Sequence, residues 1–455
     1  MPQYFHSVKL NVKKCIGCTN CIKHCPTEAI RVHDGKATIM NERCIDCGEC
    51  IISCPHHAKL AHSDTLEKLS EYKYNIALPD PSFFGQFKEG EKIEDILHAF
   101  LRIGFDEVFE VSLAAEIIAF IVRQKLFKTE HKKPVFSSSC PAVLRLMQIK
   151  FPGLLEQTTH VLSPMEVAAR IAKEEAVKKT GIAYDEIGAI FISPCPAKVT
   201  EMRQPITTKH SAVNGVIGAN LIYKDIIRNL HKGPVNKEHA HIDGSRMHKA
   251  TKRGMSWGYL TGETKSIELG TTLAVSGVHN VISLLEEIER GEMQDVDFIE
   301  LKACNAGCVG GPLNIQNSFV GRVHLRGLIS RSGAQSSYYT DEELLAMYEQ
   351  GHFESTDAIM PRPIMTLDED MAKALVKMER LDQITKELPG LDCGACGSPS
   401  CRALAEDIIR GIAFETDCVI KLRDRIKILA QEILYLARIV PPVMAANDSE
   451  KKNNI

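Results

Sequence analysis

Sixteen cysteines carry the most evident chemistry of this 455-residue sequence, and eight of them stand in two matching runs near its start. Both runs have the spacing C-x-x-C-x-x-C-x-x-x-C-P, and they consist of Cys15, Cys18, Cys21 and Cys25, and of Cys44, Cys47, Cys50 and Cys54. In a duplicated run of this kind three thiolates bind one 4Fe-4S cubane, while the fourth reaches the cluster of the other run. A structural zinc site would explain C-x-x-C pairs but would leave the other cysteines of each run without a role.

The ligands of these two clusters are therefore assigned crosswise. One cluster is predicted to bind Cys15, Cys18, Cys21 and Cys54, and the other Cys44, Cys47, Cys50 and Cys25. The segment resembles the two-cluster bacterial ferredoxins, which implies that residues 1–62 form an electron-transfer module. The stretch HDGKATIMNER between the runs is typical of a short hairpin.

The overall composition excludes several other classes of protein. The 55 basic and 58 acidic residues leave a formal charge of -3, so the charge balance does not favour nucleic acid or an anionic membrane surface. The first residues lack a signal-peptide pattern and no apolar run is long enough to span a bilayer, which predicts a cytoplasmic protein. Because cytosolic cysteines stay reduced, the sixteen cysteines indicate metal ligands and not disulfides. The length predicts several domains.

From residue 74 the sequence alternates apolar strands with helical stretches, which is the pattern of an α/β core. Strands are predicted at YNIALPD, DEVFEVS, PVFSSSC and GAIFISPC, and helices at EDILHAFLRIGF, AAEIIAFIVRQKLF and SPMEVAARIAKEEAVKK. Ser163 should cap the last of these helices, with Pro164 at its first position. Cys140 and Cys195 each follow an apolar strand, where open α/β sheets place their ligands. Four thiolates can converge there, the other two being Cys304 and Cys308.

Three loops around these cysteines carry a resemblance to a known family. They read SSSCPAV, SPCPAKVTE and IELKACNAGCVGGP, and the flanking stretch FPGLLEQTTHVLSPMEVAARIA matches as well. In this order they resemble the three signature loops of the iron-only (FeFe) hydrogenases, and the resemblance covers most of residues 1–330. It implies an H-cluster, in which a 4Fe-4S cubane is joined through one cysteine sulfur to a two-iron unit that carries CO, cyanide and a bridging dithiolate.

The resemblance also implies roles for individual residues. The cubane would be held by Cys140, Cys195 and Cys304, with Cys308 bridging it to the two-iron unit. Lys198 would donate a charge-assisted hydrogen bond to one cyanide, the alternative being a solvated surface lysine. The further cofactor-binding candidates are Pro79, Asp80, Ser193 and Pro194. The glycines of the third loop would let the backbone approach the cofactor, and they are Gly307, Gly310 and Gly311.

Several positions depart from the pattern of fast hydrogenases. Ser139 stands where the family has a thiol that passes protons, and a hydroxyl is a far weaker acid than a thiol of pKa ~8.5, so proton relay should be slower. The helix expected to supply a glutamate pair contains only Glu116. Ser193 and Lys302 replace two methionines that pack over the two-iron unit, and Pro312 interrupts a glycine triplet.

Lys302 has two interpretations. It either acts on the cluster, by raising its potential or donating protons, or points away and pairs with a carboxylate. The candidate catalytic residues are Ser139, Lys198, Glu201 and Lys302. This combination of replacements resembles the branch of the family regarded as sensory, and not its bulk producers of hydrogen.

A fourth group of cysteines lies near the end of the sequence. It consists of Cys393, Cys396, Cys401 and Cys418 within LDCGACGSPSCRALAEDIIRGIAFETDC. The string resembles a small 4Fe-4S domain shared with corrinoid iron-sulfur proteins and electron-transport complexes, and zinc is the alternative. The helix that follows carries an apolar stripe, typical of core packing or of a dimer or partner helix, formed by Ile420, Ile426, Leu429, Ile433 and Leu436.

The sequence thus predicts a ferredoxin-like domain over 1–62, a two-lobed α/β H-cluster domain over 74–355, a mostly helical four-cysteine domain over 375–440 and a disordered tail over 441–455, with MPRPIMTLDED as a linker. We interpret the protein as a slow FeFe hydrogenase used for hydrogen or redox sensing. It would exchange electrons with ferredoxin or a signalling partner, depend on maturation enzymes, and contain four 4Fe-4S clusters besides the diiron unit. The alternative is a non-catalytic iron-sulfur scaffold that lacks the diiron unit.

Overall fold

The computed structural model describes residues 4–128, 132–232, 248–332, 337–362, 364 and 367–439. The chain forms two compact units, each assembled from two stretches of sequence. The first unit contains residues 1–15 and 39–364, and the second contains 16–38 and 365–455. In the described ranges no helix has both the length and the apolar character needed to cross a bilayer. The predicted disordered tail lies outside the described residues.

The elements are numbered along the chain. The strands are β1 (Val8–Leu10), β2 (Ile30–His33), β3 (Lys36–Ile39), β4 (Lys59–Ala61), β5 (Tyr74–Pro79), β6 (Glu107–Val108), β7 (Val135–Phe136), β8 (Ile187–Ser193), β9 (Gly215–Gly218), β10 (Thr272–Ser276) and β11 (Phe298–Lys302). The helices are α1 (Asn20–Lys23), α2 (Glu49–Ile52), α3 (Ile93–Arg102), α4 (Val111–Lys128), α5 (Pro141–Lys150), α6 (Pro164–Thr180), α7 (Pro196–Arg203), α8 (Ala219–Asn229), α9 (Lys252–Ser256), α10 (Gly262–Ile267), α11 (Val278–Glu289), α12 (Ser318–Arg331), α13 (Asp341–Glu349), α14 (Met371–Glu387), α15 (Cys401–Ile409) and α16 (Val419–Ala437).

Two parallel sheets form the framework of the first unit. One has the strand order β6-β5-β8-β9, and the other has the order β10-β11-β7. β5 and β8 are buried along their whole length, which explains why their sequences are nearly continuous apolar runs and do not alternate. The first sheet packs within one apolar core, and the second sheet contributes Phe136, Ile299 and Leu301 to another core and Val135 and Phe298 to the first, so the predicted two-lobed α/β architecture is confirmed.

Helix α6 begins as its sequence predicts. The Ser163 side chain accepts a hydrogen bond from the N–H of Glu166 at 3.4 Å, and Pro164 occupies the first helical position. The helix ends at Gly181, whose φ of 73° lies in the left-handed region that glycine tolerates at a helix end. Both boundaries are therefore determined by local sequence.

The second cysteine run also belongs to the first unit. β1 and β4 pair antiparallel, and α2 carries Cys50 between them in sequence. Ile45 is 1% exposed and lies in the apolar core that includes Leu144 and Leu301, and Cys47 packs against the same core. The loop of this run is thus fixed by apolar contacts in the first unit.

The second unit joins the hairpin after the first cysteine run to the C-terminal segment. β2 pairs with β3, and the N–H of Val32 donates to the carbonyl of Gly397 at 2.8 Å. The guanidinium of Arg31 binds the buried carboxylate of Asp407, which also accepts a hydrogen bond from Ser398 at 3.0 Å. A buried ion pair with satisfied hydrogen bonds fixes the geometry of such a contact.

Candidate functional site

Four cysteines stand at the carboxyl ends of strands in the first unit. Cys140 precedes α5 after β7, and Cys195 precedes α7 directly after β8. Cys304 follows β11, and Cys308 begins a short 3-10 turn that ends at Gly310. The strands belong to both parallel sheets, and the structure brings their cysteines together, because the thiols of Cys195, Cys140 and Cys308 all act electrostatically on Cys304.

The electrostatics of this group suit an iron-sulfur cluster. Burial, and then the neighbouring Cys140, raise the pKa of Cys195 to about 12. Burial and adjacent thiols also raise the pKa of Cys304, and burial with the charge of Asp80 raises that of Cys308. Four thiolates so close together repel one another unless a cation lies between them, and four soft sulfur donors are the ligands that iron-sulfur clusters take. The residues present therefore fit the cubane.

The glycines of the third loop lie close to neighbouring loops of the protein. A Cβ on Gly307, whose φ is 90°, would meet the backbone nitrogen of Leu260 at 2.6 Å. A Cβ on Gly310 would lie 1.9 Å from the carbonyl oxygen of Asn305. On Gly311 it would lie 2.4 Å from the carbonyl oxygen of Pro194. Among the described residues these glycines let protein loops pack against each other, and their approach to the cofactor stays a prediction.

Lys198 and Asp80 lie beside the cysteines. Lys198 is 6% exposed, and its Nζ donates to the carbonyl of Ser139 at 3.3 Å, so it is not a solvated surface lysine. Asp80 follows Pro79 at the end of β5, and its carboxylate accepts hydrogen bonds from the N–H of Ser82 at 2.9 Å and the hydroxyl at 2.6 Å. Burial raises the pKa of Asp80, although Ser82 and the charge of Lys198 oppose this.

Ser139 and Lys302 belong to a buried polar network whose other members the sequence did not reveal. The Ser139 hydroxyl donates to Glu263 at 2.9 Å. Lys302 Nζ donates to Ser139 Oγ at 2.6 Å and to Glu263 at 2.8 Å, and Ser137 donates to the other Glu263 oxygen at 2.6 Å. Glu263 and Lys302 are 2% and 4% exposed, so these charges compensate each other away from water.

Each of the two interpretations of Lys302 describes part of its environment correctly. It pairs with the carboxylate of Glu263, yet it does not point away, because it contacts Ser139 and acts electrostatically on Cys308. Burial alone would lower the pKa of Lys302, but Glu263 and Glu300 raise it. Burial raises the pKa of Glu300 to about 7, against the opposing charge of Lys302.

The remaining predicted residues are Ser193, Pro194 and Glu201, and each has polar partners of its own. The Ser193 hydroxyl accepts from the N–H of Cys195 at 3.2 Å and donates to its carbonyl at 2.8 Å, so it shapes the ligand loop. The carbonyl of Pro194 accepts from Leu313 at 2.9 Å. Glu201 forms an ion pair with Arg145 at 3.0 Å, and the structure does not bring it into contact with the cysteine thiols in the described chain.

Glu116 is also placed outside the network. Its carboxylate accepts from the N–H of Thr251 at 2.5 Å. Burial raises its pKa, with the hydrogen bonds to Thr251 opposing the shift. This glutamate on α4 therefore stabilises a loop, and Glu263 on α10 occupies the position beside Ser139.

The second cysteine run reaches the same site. The thiol of Cys47 acts electrostatically on Cys304. A Cβ on the adjacent Gly48 would meet Cγ of Pro312 at 2.3 Å, so the ring of Pro312 packs directly on the cluster loop. A cluster bound by this run would be the electron-transfer neighbour of the four-cysteine site.

Cys54, the last cysteine of this run, has its own polar environment. Burial alone would raise its pKa, but the N–H groups of Ala58 and His56 and the charge of Lys59 lower it. The N–H of Ala58 donates to its sulfur at 3.3 Å. Such hydrogen bonds stabilise a thiolate ligand.

In the second unit the four C-terminal cysteines lie around one small cavity, and they are Cys393, Cys396, Cys401 and Cys418. Burial, opposed by N–H groups of the loop and supported by Cys393 and Cys418, raises the pKa of Cys396. The carboxylate of Asp392 accepts from the N–H of Cys401 at 2.6 Å and fixes the start of α15. These donors also fit an iron-sulfur cluster.

The two-lobed fold and the four-cysteine site define a hydrogenase-like iron-sulfur protein, and comparison with known proteins identifies the family. The model of the iron only hydrogenase large subunit, C-terminal domain, matches residues 73–224 and 222–312, which is more than half of the chain, so the chain belongs to this family. A 4Fe-4S dicluster domain matches residues 7–55, and an Fe-S cluster domain matches residues 388–420.

Individual relatives agree with this assignment. The chain is 28% identical over 223 residues to the periplasmic Fe hydrogenase large subunit of Nitratidesulfovibrio vulgaris, which covers 45% of this chain and 53% of that protein. It is 22% identical over 344 residues to the NADP-reducing hydrogenase subunit HndD of Solidesulfovibrio fructosivorans, covering 65% and 55%. The chain thus spans about half the length of these relatives.

A solved structure agrees at the level of the fold. A variant of the FeFe-hydrogenase HydA1 from Chlamydomonas reinhardtii superposes with a TM-score of 0.51 at 17% identity, covering 66% of this chain and 98% of that one. At this identity the comparison establishes the fold alone.

Proposed function

We propose that the protein is an FeFe hydrogenase that interconverts hydrogen with protons and electrons, turns over slowly and is used to sense hydrogen or redox state. The observation that carries this proposal is the convergence of four cysteine thiols from both sheets, with the buried amine of Lys198 beside them. Cys140, Cys195 and Cys304 would hold the cubane, and Cys308 would share its sulfur with the diiron unit. A scaffold without that unit would still need Cys308 as the fourth cubane ligand, so it is the buried amine of Lys198 that favours the loaded site.

When bound, the H-cluster would supply the redox-active irons at which hydrogen is formed or split. The chain itself has to bind this group, exclude water from it and move protons. Lys198 would donate to an anionic cyanide ligand, and burial makes that charge-assisted bond strong. Asp80 lies beside the same site, since its charge acts on the thiol of Cys308.

Proton transfer would use the network around Ser139. In hydrogen oxidation the Ser139 hydroxyl would take up the proton released on the cofactor side while it gives its own proton to Glu263 at 2.9 Å, and Lys302, whose Nζ donates to Ser139 Oγ at 2.6 Å, would hold the hydroxyl in position. The reverse sequence delivers protons for hydrogen evolution. A serine hydroxyl in the middle of this path is a weak acid, which supports slow turnover.

Electrons would pass through the ferredoxin-like module, proposed as residues 1–62. Because the thiol of Cys47 acts electrostatically on Cys304, the cluster of the second run would be the first acceptor. Ferredoxin or a signalling partner would exchange electrons with the outer clusters. The protein would contain four 4Fe-4S clusters in all, including the cubane of the H-cluster. We propose a cytoplasmic location, which a cysteine content of sixteen assigned to metal ligands favours, and maturation by dedicated enzymes that insert the diiron unit.

Infrared spectroscopy of protein matured with those enzymes tests the proposed function. Bands of CO and cyanide should be present and should change when hydrogen replaces argon. Protein made without the maturation enzymes is the control, and it should lack the bands while keeping its cubanes. A matured sample without bands would support the scaffold alternative, and bands that do not respond to hydrogen would contradict sensing.

We also propose that α16 pairs with α16 of a second copy. The helix has no buried residue, so core packing is wrong for most of the predicted stripe, although Ile420 packs against the core of the second unit. Its heptad core positions are between 42% and 65% exposed, and they are Val419, Leu422, Ile426, Leu429, Ile433 and Leu436. β-branched residues alternating with leucine in this order favour a parallel two-stranded coiled coil.

Light scattering tests this pairing. The wild-type chain should have twice its mass of 50.5 kDa, and Leu429→Glu should yield the single mass, because a buried carboxylate at the interface is unpaired. Gln431→Glu adds the same charge on the opposite face and should stay dimeric. A wild-type monomer at micromolar concentration, or a dimeric Leu429→Glu variant, would contradict the proposal.

A further inference from the structure

Lys59, the first residue of β4, is buried in an unusual way. The residue is 2% exposed, and its Nζ has no hydrogen-bond partner among the described residues. A buried ammonium without a partner is costly, so such a group in a native protein points to a neighbour that the polypeptide alone does not provide. Cys54 lies beside this residue, because the backbone N–H of Lys59 hydrogen-bonds to the Cys54 sulfur and the charge of Lys59 acts on its thiol.

The duplicated cysteine runs give an internal comparison for this lysine. Ile30 stands five residues after Cys25 and Lys59 stands five residues after Cys54, and each begins a strand. In both runs the N–H four residues after the last cysteine donates to its sulfur, at 3.2 Å and 3.3 Å. Ile30 is likewise 2% exposed. The two positions are therefore equivalent, and a lysine replaces a core isoleucine in the second run only.

We propose that the Lys59 ammonium faces the cluster ligated by Cys54 and raises its reduction potential above that of the cluster ligated by Cys25. This inference rests on the proposed cluster ligands and not on the proposed hydrogenase activity. A cubane with four thiolates is an anion, and it gains one further negative charge when a low-potential one-electron donor reduces it. A positive charge held in a medium of low dielectric stabilises the reduced state more than the oxidised state. No proton moves and no bond is formed.

The two clusters would therefore differ in reduction potential, although their repeated ligand sequences alone would predict similar potentials. An electron shared by the ferredoxin-like module would reside on the cluster of Cys54, and the cluster of Cys25 would be the less easily reduced of the two. The cluster next to the four-cysteine site, which Cys25 would ligate with the second run, would then pass electrons outward without retaining them.

Redox titration followed by EPR tests the inference on the full chain produced without maturation enzymes, so that failure of the hydrogenase proposal does not affect it. The test variant is Lys59→Ile, which copies the residue of the first run. The midpoint potential of one cluster should fall by at least 59 mV, which is a tenfold change in the equilibrium constant for one-electron reduction. The midpoint potentials of the other clusters should not change. Lys9→Ile removes the same charge from an exposed position on the neighbouring strand, and solvent screening should leave every midpoint within twofold.

A second measurement covers the case in which Lys59→Ile fails to incorporate iron. Wild-type protein labelled with ¹⁵N-lysine should show a weak nitrogen coupling on the first-reduced cluster signal, and the Lys9→Ile variant should retain it. Absence of that coupling from wild-type protein would overturn the proposal. Unchanged midpoints in a Lys59→Ile variant with full iron content would overturn it as well.

Discussion

Replacement of Glu263 by glutamine should lower hydrogen turnover by about 10²-fold while the CO and cyanide bands of the matured protein remain. Glu263 accepts the hydroxyl of Ser139 at 2.9 Å and the ammonium of Lys302 at 2.8 Å. A glutamine keeps the shape and can accept hydrogen bonds, but it cannot take up a proton, and a positioned acid or base contributes about 10²–10⁴-fold to a rate. Hydrogen evolution from a reduced dye, normalised to the infrared bands, measures the effect.

Glu116→Gln is the matched control for this prediction. Glu116 is a glutamate of the same lobe, but its carboxylate binds the N–H of Thr251 and not the network around Ser139. Its turnover should stay within about twofold of the wild type. Equal losses in both variants would indicate a general effect of the lost charge, and an unchanged Glu263→Gln rate would remove Glu263 from the proton path.

The parts of the fold that sequence predicts well are those fixed by local chemistry. The continuous apolar runs of β5 and β8 indicate buried parallel strands, and the serine and proline before α6 indicate its start. Cysteine spacing also predicts cluster ligands well, because a cubane has a fixed size and its ligands must be spaced to fit it. The strand-end rule then explains why Cys140, Cys195 and Cys304 lie together although they are far apart in sequence.

Contacts between distant polar residues could not be predicted in this way. Glu263 lies 124 residues from Ser139, on the six-residue α10, which is too short for a helical periodicity to indicate its buried face. Lys302 was ambiguous because its partner was unknown. Cys18 and Cys21 belong to the same unit as the C-terminal cysteines, and the buried ion pair of Arg31 and Asp407 joins the two stretches of that unit. No sequence motif predicts this ion pair.

Ser139→Cys should raise hydrogen turnover about tenfold. The hydroxyl receives a hydrogen bond from Lys302 at 2.6 Å and gives one to Glu263, so the site already holds a donor on one side and an acceptor on the other. A thiol with a pKa of ~8.5 releases its proton far more readily than a hydroxyl at neutral pH. The same dye assay, with cofactor content taken from the infrared bands, measures the gain.

Ser138→Cys is the control for this substitution, because the Ser138 hydroxyl bonds Thr159 and the carbonyl of Val161, away from the network. It should not increase the rate. The double variant Ser139→Cys with Glu263→Gln separates two explanations of the gain. If the thiol acts through Glu263, the gain disappears in the double variant, whereas a gain that persists would mean that Ser139 exchanges protons with Lys302 alone. No gain in a fully loaded Ser139→Cys protein would show that the hydroxyl does not limit turnover.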